Sequence, residues 1–296
     1  MLNIHIINEI LKQMNISATR ISPFKVLEDN SDYDVFLIET NTNKFVIKPT
    51  KNYKFEIYST FFKGKISGVP NLIASTEYGN EKFILIEYIE GKDLCKCERS
   101  SLKLVLDALI TIQDKYWDNI EYENLGYTYQ GSLESRINRG KYLGDEELEK
   151  AYQEFLSVYS KIPRTLCHDD LLPFNVIVNE KSASLIDWEY AGILPYPTSI
   201  ARLLAHTEEN ENALFYMTNE DKEFAKKYYY DNLVSKHDIP YDEYEYTLDL
   251  FFLYEYCEWI MLANRYPDAD KERAAIYTRK AKFVLKQIYE RNKKYE

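Results

Sequence analysis

The stretch "LCHDDLLPFNVIVNEKSASLIDWEYAG", Leu166 to Gly192, constrains the fold of this chain more than any other. Two short β-like runs, "NVIV" (175–178) and "SLID" (184–187), have five residues between them, a spacing that fits an antiparallel hairpin with a short loop. Asn175 begins the first run and Asp187 ends the second, so the pairing alone would set an amide oxygen beside a carboxylate. Asp170 precedes Asn175 by five residues, on a loop that Pro173 stiffens. Hard oxygen ligands gathered at one point suit Mg²⁺, which keeps several waters and takes its other ligands from a few protein oxygens and phosphates. A carboxylate held nearby can accept a proton from a hydroxyl close to a metal-bound phosphate. Asp and Asn are common in turns. The succession His-x-Asp-x4-Asn, followed by a hairpin ending in Asp, is far more specific than any one of them.

The pattern on either side of this stretch changes character along the chain. An amphipathic helix fits 4–14, followed by strand-like runs at 18–27, 33–40 and 44–49. Asn41-Thr42-Asn43 separates the last two as a hairpin turn. A helix fits 52–63, and strands fit 71–76 and 82–88. Beyond "YIEGK" (88–92) helical patterns dominate, at 99–116, 145–160, 199–208, 220–235, 240–264 and 270–292. The expectation is an α+β molecule of two lobes: a small β-rich N-lobe over 1–90 and a larger helical C-lobe over 91–296. A cleft between lobes is a favoured place for a ligand.

Charge narrows the partners. The formal balance of −11 argues against a nucleic-acid groove. Residues 201–260 hold 14 Asp/Glu against 5 Lys/Arg, so much of the excess sits in one part of the helical half, as a solvated surface or a pocket for a cationic ligand. No run of 18 apolar residues suggests a membrane span. The first 15 residues do not read as a signal peptide, and the four cysteines lack zinc spacing, so reduced thiols in a cytoplasmic protein are expected.

"HDDLLPFN" (168–175) followed by "IDWE" (186–189) resembles the aminoglycoside phosphotransferase and choline-kinase-like family, whose members read H-G-D-L-x-P-x-N and then I-D-W/F-E. The resemblance implies a protein-kinase-like fold, with nucleotide bound by the N-lobe and the catalytic loop and substrate-binding helices in the C-lobe, and phosphoryl transfer from ATP or GTP with Mg²⁺. Asp170 then resembles the catalytic base, Asn175 and Asp187 the Mg²⁺ ligands, and His168 the structural loop histidine. Lys48, ending "FVIK", would hold the nucleotide phosphates. Glu56, the only acid between residues 40 and 76, would pair with it from the helix. In "FILIEYIEGKDL" the Ile86 carbonyl and the Tyr88 amide would face the nucleotide base, with Leu85 behind. Ser31 would bond a phosphate from the loop "EDNSDYD" (28–34).

Three departures from the family pattern stand out. That loop has no glycine and four acids. Asp169 replaces the usual glycine beside the base, where it could raise the pKa of Asp170 or bind substrate. Ser199 stands where relatives often carry an aspartate, so a structural hydrogen bond of the family is expected to be missing.

The acceptor side is sought on the helix over 240–262, where Tyr244, Leu248, Phe251, Trp259 and Leu262 share a stripe with Glu255 inside it and Glu258 beside it. A carboxylate on an apolar face needs a partner: a buried arginine such as Arg202, or a bound cation. Asp169, Glu189, Glu255, Glu258 and Trp259 are the substrate candidates. The expected acceptor is a cationic small molecule, an aminoglycoside first and an amino alcohol such as choline second, with sugars and macrolides open. Two rivals remain: a non-catalytic nucleotide-binding protein of the same fold, and a protein kinase. The latter is disfavoured by the span of only about ten residues from Asp187 to "PTSIAR", too short for an activation segment.

Overall fold

The computed structural model describes residues 3–25, 32–64, 66–266 and 271–292. The N-terminal part is a five-stranded antiparallel sheet of β1 (Arg20–Lys25), β2 (Asp32–Glu39), β3 (Lys44–Thr50), β4 (Leu72–Tyr78) and β5 (Glu81–Glu87), in the order β1-β2-β3-β5-β4. The side-chain period of two divides its faces. Phe36, Ile38, Ile47, Phe83 and Leu85 form one small core with Ile7, Ile10 and Leu11 of α1 (Ile4–Gln13). Ile84 and Ile86 turn the other way, into the main core. Lys48 follows Ile47, so the same alternation sends its side chain to the face away from α1. The β2–β3 turn falls at Asn41-Thr42-Asn43 as the pattern predicts: Thr40 and Asn43 close it, with the Thr40 amide donating to the Asn43 carbonyl at 2.9 Å.

After β3 comes α2 (Asn52–Phe61). Its Ile57, Tyr58 and Phe61 are buried, and the next residue, Phe62, packs edge-on to Trp188. The helical part holds α3 (Arg99–Lys115), α4 (Tyr129–Gly140), α5 (Glu146–Tyr159), α6 (Pro197–Ala205), α7 (Asn219–Asn232), α8 (Tyr241–Arg265) and α9 (Lys271–Asn292). Between α5 and α6 lie two small antiparallel ladders. β6 (Arg164–His168) pairs with β9 (Ala191–Pro195), and β7 (Val176–Val178) pairs with β8 (Ala183–Leu185).

Three elements are absent from the sequence expectation: α4, β6 and β9. The two strands are short and almost wholly buried, so they show no polar alternation. The stripe expected on α8 is also corrected. Tyr244, Leu248 and Phe251 are buried, but Leu262 is 42% exposed. The helix packs against α5, α6 and α9 and is buried on several sides over its middle turns, then emerges beyond them. Among the described residues no helix is long and apolar enough to cross a membrane.

Candidate active site

β6 ends at His168, and the chain turns through Asp169 and Asp170 into a 3₁₀ turn, Pro173–Asn175. Proline suits the first position of that turn because no amide proton is needed there. The Leu172 amide donates to the Asp170 carbonyl and the Asn175 amide to the Leu172 carbonyl, both at 2.8 Å. Val176 pairs with Leu185, so Asn175 and Asp187 do fall at one end of a hairpin, each just beyond its strand. The Ile186 amide donates to the Asn175 carbonyl at 2.9 Å and ties the two together. Asp187 itself takes a left-handed backbone (φ 62, ψ 53), a conformation Asp and Asn tolerate far better than branched residues.

His168 is fully buried against the Trp188 ring and bridges the two halves of this arrangement. Its Nδ1 accepts from the Asp170 amide at 3.3 Å, which leaves Nε2–H to donate to the Ile186 carbonyl at 2.7 Å. Burial lowers its pKa and keeps the ring neutral, as a brace. The His168 amide donates to the Ser199 hydroxyl at 2.9 Å. The hydrogen bond expected to be missing at Ser199 is therefore made, by a hydroxyl.

Asp170 and Asn175 touch directly: the Asn175 amide nitrogen donates to the Asp170 carbonyl at 2.8 Å and approaches its carboxylate at 3.4 Å. The Arg202 guanidinium donates to the other carboxylate oxygen at 3.0 Å. Across the cleft, Lys48 donates to Asp187 at 2.7 Å and lies 3.4 Å from Glu189. Burial acts to lower the Lys48 pKa, but Tyr58, Asp187 and Glu189 outweigh it, and the ammonium is held well above its usual value. Burial likewise acts to raise Asp187, and Lys48 reverses it to a net lowering.

The partner expected for Lys48 is corrected. No ion pair joins it to Glu56 among the described residues. Lys54 and Tyr58 stand four apart on α2 and share its buried face, with Lys54 paired to Glu189 and the Tyr58 ring 5.7 Å from the Lys48 ammonium. Glu56, two residues from each, is turned away from that face. Glu189, sought on the acceptor side, instead takes the place expected for Glu56, between two lysines.

The nucleotide register is corrected as well. The Tyr88 amide donates to the Lys44 carbonyl at 3.3 Å. Val46 pairs with Ile86 two residues further along the same antiparallel ladder, so the backbone groups of Ile86 are spent inside the sheet. Ser31 lies outside the described residues.

On the opposite side of Asp170 a cavity of about 540 Å³ opens, lined among others by Tyr127, Asp169, Tyr190, Arg202, Tyr254 and Glu258. Gly126 (φ 66) lies close against the Ala191 carbonyl, and the Tyr127 amide donates to that carbonyl at 2.8 Å, which fixes Tyr127 and Thr128 along the rim. Asp169 is held by Arg136 at 2.7 Å. Of the two partners open to Glu255, the structure takes the arginine: Arg202 at 2.8 Å, with His206 at 3.0 Å. Burial would raise the Glu255 carboxyl, but Arg202 and His206 together pull it down to about 2. Glu258 pairs with Arg139. Trp259 is not in this cavity. It stacks on Tyr277 and lines a neighbouring one with Phe174 and Phe215. Arg136, Arg139, Lys54 and Tyr127 were missed in the sequence. Only their residue types hint at them, because their partners are remote in the chain.

Mg²⁺ fits what is present. Asn175 spends its amide nitrogen on Asp170, so its amide oxygen is left for a cation, and Asp187 has one carboxylate oxygen not engaged by Lys48. Among the described residues no cluster of three or more His, Cys, Asp or Glu forms a metal cage. One carboxylate and one amide oxygen are the sparse protein share that Mg²⁺ takes when phosphates and water complete its shell.

A family model described as a phosphotransferase enzyme family matches residues 63–229. No curated protein matches the chain. Among solved structures, the chain is similar to an amicoumacin kinase in complex with AMP-PNP, Ca²⁺ and Ami (10% identity, TM-score 0.65, covering 95% of this chain and 93% of that one). It is similar to a choline kinase from Cryptosporidium parvum Iowa II (14%, TM-score 0.61, 96% and 97%). It is also similar to a thermostable mutant of the aminoglycoside phosphotransferase APH(4)-Ia in a ternary complex with ADP and hygromycin B (12%, TM-score 0.56, 94% and 97%). At these identities the likeness establishes a shared kinase-like fold.

Proposed function

The chain belongs to the phosphotransferase enzyme family, and on that premise we propose that it moves the γ-phosphate of ATP or GTP onto a hydroxyl of a small molecule held in the cavity beside Asp170. One observation carries this reading: Lys48, Asp170, Asn175 and Asp187 are gathered by direct bonds, Lys48 to Asp187 and Asn175 to Asp170, with His168 bracing both pairs. Asp170 positions the acceptor hydroxyl and takes its proton. Asn175 fixes the direction of that carboxylate from one side and Arg202 from the other. Lys48, charged throughout the working pH range, leaves Asp187 and Glu189 partly for phosphate oxygens. Mg²⁺, held by Asn175 and Asp187 when bound, supplies neutralisation of phosphate charge. The protein's contribution is positioning and fixed charge. Aminoglycosides, amino alcohols and sugars all offer such a hydroxyl.

The test is Mg²⁺-dependent nucleotide consumption against those three acceptor classes, with ATP and GTP in parallel. Stimulation by one class, reduced at least about a hundredfold in Asp170→Asn while nucleotide still binds, is the expected result. Absence of nucleotide binding by the folded protein refutes the reading.

A further inference from the structure

The cavity beside Asp170 is acidic in sequence and nearly balanced in space. Four of its carboxylates, Asp169, Asp170, Glu255 and Glu258, line it. Three guanidinium groups answer them: Arg136 on Asp169 at 2.7 Å, Arg139 on Glu258, and Arg202 on both Glu255 at 2.8 Å and Asp170 at 3.0 Å. Carboxylates counted against guanidinium groups leave one net negative charge, shared along Asp170, Arg202 and Glu255, with His206 bonded to Glu255 at 3.0 Å. The rest of the wall named above is neutral: Gly126, Tyr127, Thr128, Tyr190 and Tyr254. A polycation entering here would meet fixed cations at the positions where it needs carboxylates. A hydroxy compound with no charge, or with one ammonium able to face a tyrosine ring, would not.

We propose that the acceptor is a neutral or singly charged hydroxy compound, not a polycation, and that Arg202 is the specificity-determining residue that sets this limit. The proposal rests on the phosphotransfer reading for the word acceptor, and on the ion-pair geometry for its charge. Arg202 is singled out by position. Arg136 is 1% exposed and locked between the Tyr159 and Tyr254 rings, and Arg139 stands at the rim with its side chain 44% exposed. Of the three arginines Arg202 alone touches Asp170, and its loss would take from Asp170 and Glu255 the cation they share.

The experiment measures calorimetric binding of three probes, a tetracationic aminoglycoside, choline and a neutral sugar, to protein loaded with Mg²⁺ and a non-hydrolysable ATP analogue. Wild type is compared with R202Q, E255Q and R202Q/E255Q, with thermal melts to confirm folding. The balance of carboxylates against guanidinium groups is −1 in wild type and in the double variant, −2 in R202Q and 0 in E255Q, by removal of one unit from the pairs above. Aminoglycoside affinity is expected to rise about tenfold in R202Q, to return to the wild-type value in the double variant, and to fall in E255Q, with the gain erased by salt. Should R202Q not fold, the remaining three still give an order: wild type equal to the double variant, both above E255Q. A flat order, or wild type binding the tetracation more tightly than choline and sugar, overturns the proposal. Nucleotide binding and Asp170→Asn-sensitive turnover, measured on the same preparations, report separately on the phosphotransfer reading.

Discussion

Replacing Arg136 with methionine tests the claim that Asp169 is a structural anion. Arg136 is 1% exposed, and the Asp169 side chain is 13% exposed. They meet at 2.7 Å, and the guanidinium carbon sits 4.9 and 4.6 Å from the Tyr159 and Tyr254 ring centres. Removing one member of a buried pair costs roughly 3–5 kcal/mol, because the other charge is stranded. Two lost ring contacts add about 0.5–1 kcal/mol each, and methionine recovers part of the packing. Arg136→Met should therefore lose about 4–5 kcal/mol at pH 7. With an m-value of about 3 kcal/mol/M, its urea midpoint falls by about 1.5 M.

The deficit should depend on pH. Burial raises the Asp169 carboxyl in the folded protein, with Arg136 opposing it, so loss of Arg136 raises it further. A folded-state pKa above the unfolded value means the penalty is greatest at high pH and shrinks as pH falls toward it. Midpoints at pH 7 and pH 5 should show the gap to wild type closing. The double variant Arg136→Met, Asp169→Asn, with no charge to strand, should lose only about half as much at pH 7. A loss under about 1 kcal/mol in the single variant, or equal losses in both with no pH dependence, would refute the reasoning.

Two further outcomes follow from the same geometry. Glu255 ionises at about 2 in the folded protein against an ordinary 4.5, a depressed value, so its contribution is present above pH 4.5 and lost as pH falls toward 2; urea unfolding at pH 5 and pH 3 should show wild type losing about 2 kcal/mol more than Glu255→Gln across that window. Ser199→Ala leaves the buried His168 amide without its acceptor and should cost about 1–3 kcal/mol of stability, read as a lowered melting temperature.

The elements that could be read in the sequence are those whose burial is one-sided. α1 shows Ile7, Ile10 and Leu11 on one stripe, and β2 and β3 alternate about a turn of Asn and Thr. β6 and β9 are buried nearly throughout and carry no alternation. α4 hid for the opposite reason: "YQGSLESRINRG" buries Ser132 and Arg136, so the face it turns inward is polar. In the site, the loop and hairpin residues were legible because they lie within twenty residues of one another. The ion pairs were not. Lys48 meets Asp187 across 139 residues of chain, and Arg202 meets Glu255 across 53. Composition told of an acidic helical half, but only three dimensions show how arginines divide that charge among themselves.

The left-handed backbone at Asp187 separates two kinds of selection. In a library randomised at this codon and sorted only for soluble, folded protein, Gly and Asn would survive with Asp, while Val, Ile and Thr would be depleted by strain of about 1–2 kcal/mol. Sorted for turnover, Gly and Asn would vanish as well, for want of a carboxylate to face Lys48. Position 187 thus answers to conformation and to charge through different alphabets, and aspartate is the letter common to both.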